Sequence, residues 1–149
     1  MSGWSSSFGD PSPDTIRVDL PASYTYLHVI GACITEMLGQ VPDLPDVITL
    51  SQRVVLAVHE ILVNIVDHAY VGQRDGRIAI SVRIVYEPRW LMVELRDSGV
   101  AFDIDAIPEP DLDAPQVHGY GIFLARRLLD SVSYTSTPGE NRWLLVKRV

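Results

Sequence analysis

The chain has 149 residues, 47% of them apolar and 21% charged, which suits one soluble domain with a single sizeable core. A net charge of −7 with no cluster of Lys or Arg argues against nucleic acid or an anionic membrane as the main partner. One cysteine, Cys33, excludes an internal disulfide framework and reads as a packed thiol in a reducing compartment.

The opening stretch, MSGWSSSFGDPSPD, has no basic region followed by an apolar core, so it is not a secretory signal. Residues 1–14 are expected as a flexible N-terminal tail, and 15–149 as one domain. No apolar run is expected to approach a membrane span, and a cytoplasmic location follows. Thr15 to Leu20 alternates Ile16, Val18 and Leu20 against Thr15, Arg17 and Asp19, the pattern of a half-buried strand that Pro21 stops. Ser23 then caps a helix running to about Leu38, with Leu27, Ile30, Ile34, Met37 and Leu38 at helical spacing. Gly39 ends it, and the Pro-rich VPDLPD connects onward.

Ser51 to Tyr70, SQRVVLAVHEILVNIVDHAY, reads as one helix with Ser51 as its N-cap. It is apolar almost all round, and its polar residues fall in one narrow stripe. At roughly 100° per residue, Arg53, Glu60, Asn64, Asp67 and His68 project within about a quarter-turn. Glu60 and Asn64 are one helical turn apart and reach the same small volume. The stripe is either a solvated or networked edge, or the wall of a ligand pocket. An Asn oxygen beside a carboxylate suits a hard cation that keeps several waters and binds phosphate oxygens, which describes Mg²⁺. His59 and His68 point to opposite sides of this helix, so the pair does not suggest zinc.

Arg77 to Glu87 and Trp90 to Arg96 read as two strands joined at Glu87-Pro88-Arg89, an antiparallel hairpin. The hairpin leads into Asp97-Ser98-Gly99. This is either a plain Asx-type turn or a carboxylate at a strand end, placed to accept from an exocyclic amine beside a glycine that lets a flat ring approach. The proline-broken acidic segment IDAIPEPDLDAPQV follows, of the kind that forms lids or binding loops. Gly119 and Gly121 open a last helix through about Asp130, where free N–H groups make an anion site. Val132 to Thr137 and Arg142 to Val149 close the chain as strands around the turn Pro138-Gly139-Glu140-Asn141. This order of elements suggests an α+β fold with helices on one face of a mostly antiparallel sheet.

In order and spacing, three of these segments resemble the boxes of the GHKL ATPases, the superfamily of gyrase and the histidine kinases. EILVNIVDHAY resembles the N box, DSGVAFD the G1 box and HGYGIFLARRLLD the G2 box. Glu four residues before Asn, with HAY after it, is similar to the anti-sigma factor serine kinases of the SpoIIAB/RsbW type. So are the lid sequence IPEPDLDAP and the ending GENRWLLVKRV.

The resemblance implies a Bergerat-type two-layer α/β sandwich with a mostly antiparallel mixed sheet, helices on one face and an ATP lid. It implies ATP and Mg²⁺ as cofactors. Asn64 would coordinate Mg²⁺, and Glu60 would be the general base for an attacking hydroxyl. Asp97 would accept from the adenine amine with Gly99 beneath the ring, and Gly119 and Gly121 would cradle phosphates. Two residues depart from the superfamily pattern: Ala101 replaces the second Gly of the G1 box, and His118 stands in the G2 box where Gly is common. The implied function is an ATP-dependent protein-serine kinase and binding switch. Its substrate would be a STAS-domain antagonist of the anti-anti-sigma type, its regulated partner a sigma factor or other effector, and its assembly a homodimer. The alternative is a nucleotide-gated partner-binding regulator without phosphotransfer.

Overall fold

Alternation of apolar and polar residues builds the sheet, and one unusually apolar helix covers it. The computed structural model of the chain describes residues 14–104 and 120–149; the N-terminal tail, most of the lid segment, His118 and Gly119 lie outside the described residues. The strands are β1 (Thr15–Pro21), β2 (Arg77–Val85), β3 (Trp90–Asp97), β4 (Ser131–Thr137) and β5 (Glu140–Arg148). They form one sheet in the order β1-β2-β3-β5-β4. Every pairing is antiparallel, so the described sheet is antiparallel throughout rather than mixed. Pro21 is the last residue of edge strand β1, a place where its missing N–H is tolerated.

Ile78, Ile80, Val82 and Ile84 of β2 are buried, as are Leu91, Val93 and Leu95 of β3 and Trp143 and Leu145 of β5. With a side-chain period of two, these residues share one face of the sheet, and the register sets Leu95 opposite Trp143. The same parity brings Asp97, at the end of β3, opposite Asn141, at the start of β5.

Three helices pack on that face: α1 (His28–Gly39), α2 (Val47–Asn64) and α3 (Tyr120–Leu128). Ser23 does cap as expected, accepting from the Thr25 N–H, but the turn it opens is a single 3₁₀ turn, Tyr24–Tyr26, ahead of α1. α1 buries Ile30, Ile34, Met37 and Leu38. α2 buries Val54, Ala57, Val58, Ile61 and Leu62. Full burial of a Val or Ile side chain is worth about 1.5–3 kcal/mol, so this row is a large part of what holds the layers together. α1 and α2 approach closely at Gly31, where a methyl group would stand 3.0 Å from Val55 Cγ1.

Two expectations for α2 need correction. Its N-cap is Asp46, not Ser51: Asp46 takes a left-handed backbone (φ 48°) and its carboxylate accepts from Thr49 N–H, so the helix begins a turn earlier and Ser51 is buried inside it. The second concerns membranes. Val47–Ala69 is 23 residues with a mean hydropathy of 1.3, long and apolar enough by length and composition to cross one. Here part of that apolar surface packs into the core between α1, α3 and the sheet, while Ile48 and Leu56 are exposed. At its C-terminal end α2 widens into a π turn, Ile65–Ala69. Such turns shift the phase of the side chains that follow and recur at functional sites.

Candidate nucleotide site

A narrow cleft opens where the π turn meets the end of β3 and the neighbouring strands β4 and β5. Asn64, His68 and Asp97 supply its polar lining, and Phe102, Tyr134 and Trp143 an aromatic wall. In that wall the Tyr134 and Trp143 ring centroids are 4.6 Å apart, and Phe102 meets Tyr134 edge-on at 6.3 Å. The Tyr134 hydroxyl accepts from Phe102 N–H at 2.8 Å, tying the loop after β3 to β4. His68 lies against Phe102 with centroids 5.7 Å apart. His59, on the other side of α2, lines a groove against α1, so the two histidines are separated as expected.

Asp97 is 5% exposed. Its Oδ1 accepts from Gly99 N–H at 3.0 Å and from Asn141 Nδ2 at 2.8 Å. The first of these bonds is an Asx turn, and the same residue also lines the cleft. Burial pushes the Asp97 carboxyl above its usual range, while the bonds from Asn141 and Gly99 act in the opposite direction.

Gly99 sits where no side chain fits. A methyl group there would stand 2.1 Å from the Ala69 carbonyl oxygen, because the loop runs directly beneath the π turn. Val100 N–H donates to that same carbonyl at 2.8 Å. Tyr70 fastens the other side: its hydroxyl donates to the Arg77 carbonyl at 2.7 Å and accepts from Ser98 N–H at 2.9 Å. Its ring lies against Gly76, where a methyl group would come within 2.4 Å.

Glu60 and Asn64 are both half-buried, and Asn64 faces the cleft. Glu60 is not among the cleft residues. It stands beside α3, and a methyl group on Gly121 would be 2.6 Å from its Oε2. Gly121 therefore lets the first turn of α3 close over Glu60. Arg53 and Asp67, the other members of the stripe, are exposed. Ala101 is exposed too.

Among the described residues no group of three or more His, Cys, Asp or Glu could hold a metal ion. One amide oxygen and one nearby carboxylate do fit a Mg²⁺ that arrives with phosphate oxygens and keeps its waters. Sequence reasoning missed Asn141, Tyr70 and the aromatic wall. Tyr70 lay within the quoted N box and Asn141 within a turn string, and nothing local marked either as a fastener.

The histidine kinase-like ATPase domain matches residues 20–147. The serine-protein kinase RsbW of Halalkalibacterium halodurans is 29% identical over 136 residues, covering 85% of this chain and 79% of the relative. That of Listeria monocytogenes is 27% identical over 127 residues, covering 80% and 78%. The crystal structure of the RsbU and RsbW domains of Rv1364c from Mycobacterium tuberculosis superposes with a TM-score of 0.65 at 17% identity. That match covers 93% of this chain and 33% of the longer one. The blue-light activated histidine kinase of Erythrobacter litoralis gives 0.55 at 19% identity, and these two similarities establish the fold alone. The chain belongs to the histidine kinase-like ATPase domain family, and over most of its length it is a distant relative of the RsbW serine-protein kinases.

Proposed function

We propose that this chain is an ATP-dependent protein-serine kinase that doubles as a partner-binding switch. The observation that carries the reading is the cleft in which Asn64 of α2 and the buried carboxylate of Asp97 line one narrow space, with Glu60 one turn from Asn64. Adenine enters with its exocyclic amine donating to Asp97 and its ring over Gly99. The phosphates then extend toward Asn64 and the start of α3. Gly121, and by the resemblance Gly119, would allow them close backbone approach. Asn64 would hold Mg²⁺, which would supply charge neutralisation at the phosphates. Glu60 takes the proton from a serine hydroxyl of the partner. The serine oxygen bonds to the γ-phosphorus as the bond to the β-phosphate oxygen breaks, and ADP leaves.

The partner in this reading is a STAS-domain protein of the anti-anti-sigma type, and the regulated effector a sigma factor or another protein. Residues 15–149 act as one kinase domain behind a tail, as a homodimer in the cytoplasm. The similarity to proteins named serine-protein kinase RsbW supports transfer to serine.

Calorimetric binding of ATP and ADP, each with and without Mg²⁺ and against GTP, tests the site first. Adenine-selective binding strengthened by Mg²⁺ is expected; no binding sinks the reading. Glu60→Gln then separates kinase from pure binder. Loss of transfer to a STAS partner with ATP affinity kept supports the kinase, whereas wild-type protein that never transfers leaves a nucleotide-gated regulator.

A further inference from the structure

Asn141 is 3% exposed and makes more polar contacts than any sequence pattern around it suggests. Its Nδ2 donates to Asp97 Oδ1 at 2.8 Å, to the Gly99 carbonyl at 2.9 Å and, more weakly, toward the Val100 carbonyl at 3.5 Å. Its Oδ1 accepts from Ser136 Oγ at 2.8 Å. This set of partners fixes which way the amide points. Flipped, its oxygen would face a carboxylate and a carbonyl, both pure acceptors. The amide nitrogen has two hydrogens, and the acceptors around it use both.

The consequence falls on Asp97. Both bonds to its carboxylate land on Oδ1, and among the described residues no donor reaches Oδ2. A carboxylate held by one oxygen has its rotation fixed, and the other oxygen is left as an acceptor for whatever occupies the cleft. We propose that Asn141 is a positioning residue that sets base selectivity. By holding Oδ1 of Asp97 it keeps Oδ2 a pure acceptor, so the cleft takes a base edge that presents an exocyclic amine and rejects one that presents a carbonyl. This rests on the nucleotide reading of the cleft. It extends that reading to a residue on a different strand, 44 positions from Asp97.

Released from Asn141, the Asp97 carboxyl is free to rotate and holds its proton more tightly, since that bond is one of the two that oppose the effect of burial. A protonated carboxyl donates as well as accepts, and so tolerates a carbonyl edge. The other titratable groups that line the cleft are His68 and Tyr134, and no Lys or Arg lines it among the described residues.

The test compares the full-length wild type with Asn141→Ala and the milder Ser136→Ala, which removes only the hydroxyl behind the amide. ATP and GTP affinities are measured without Mg²⁺, alongside unfolding midpoints and the carboxyl ¹³C titration of Asp97. The wild type is expected to favour ATP. Asn141→Ala is expected to shrink the ATP-to-GTP preference by roughly tenfold, the size of one lost hydrogen bond to a charged group. Ser136→Ala is expected to shrink it by less and keeps the proposal testable if the alanine variant does not fold. A lowered unfolding midpoint with an unchanged ATP-to-GTP ratio makes Asn141 merely structural and overturns the proposal. Wild-type protein that binds neither nucleotide sinks the nucleotide reading instead. The clamp then stands if Asn141→Ala moves the Asp97 titration upward and falls if it does not.

Discussion

Gly121 lies so close to Glu60 that a single added methyl group would stand 2.6 Å from the carboxylate oxygen Oε2 and 3.3 Å from Cβ. Gly in a helix ordinarily costs about 1 kcal/mol relative to Ala. Gly121→Ala should therefore restore helix propensity to α3, while the crowded atom is the far end of a flexible side chain that can swing away. The expected result is an unfolding midpoint equal to wild type or higher, with phosphoryl transfer reduced at least roughly tenfold because Glu60 is displaced. Thermal unfolding beside a transfer assay checks this. A Gly121→Ala protein as active as wild type would show that neither this packing of Glu60 nor close approach at Gly121 limits transfer.

The strands, the hairpin and the core helix were legible because each rests on local periodicity. Ile78, Ile80, Val82 and Ile84 alternate as a half-buried strand must, and all four are buried. The start of α2 was not, because Asp46 caps it from a left-handed conformation inside a Pro-rich stretch that reads as loop. Glu60, Asn64, Asp97 and Gly99 stood out by motif; Asn64 and Asp97 line one cleft, Gly99 packs under Ala69 beside it, and Glu60 stands apart against Gly121 of α3. Asn141 could not stand out, since its partner is set by strand register across the sheet, and Pro-Gly-Glu-Asn reads as a turn. The aromatic wall was hidden for the same reason: Phe102, Tyr134 and Trp143 meet only in three dimensions.

Gly99→Ala is expected to destabilise the fold itself. The clash is with backbone, 2.1 Å from the Ala69 oxygen and 2.6 Å from its carbonyl carbon, and neither can rotate away. Accommodation would pull the loop off the π turn and lengthen the bond from Val100 N–H to Ala69. A loss of about 1–3 kcal/mol is expected, the usual range for overpacking a filled site. Gly39→Ala, where nothing lies within 4 Å of the added methyl, is the control and should cost nothing. Denaturant midpoints of the two variants decide it.

Tyr70→Phe isolates the hydroxyl that joins β2 to the loop after β3. Without it, Ser98 N–H and the Arg77 carbonyl each lose a partner at 2.9 and 2.7 Å. One unsatisfied, partly buried group typically costs about 1–3 kcal/mol. The ring would still cover Gly76, so packing is kept and the loss should appear as stability plus faster amide exchange at Ser98. Unchanged exchange there would show that the loop is held by its other bonds alone.

Asp97 should leave a signature in the pH dependence of stability. Its folded-state pKa is raised, chiefly by burial, so the native state binds this proton more tightly than the unfolded chain does. Between the unfolded value, near 3.8, and the raised folded value, the native form carries more protons and stability falls as pH rises. The contribution is fully present below the unfolded value and fully lost above the folded one. Asp97→Asn has no such proton. The stability of wild type minus that of Asp97→Asn should therefore be most favourable to wild type in acid and decline toward neutrality. The slope is about 1.4 kcal/mol per pH increment of one across that window. Urea unfolding of both proteins from about pH 3.5 to pH 7 measures the difference. A difference that instead grows with pH would mean that the bonds from Asn141 and Gly99 outweigh burial. An adenine amine donating to Asp97 favours the ionised form, so saturating ADP should flatten the decline in wild type and leave Asp97→Asn unaffected.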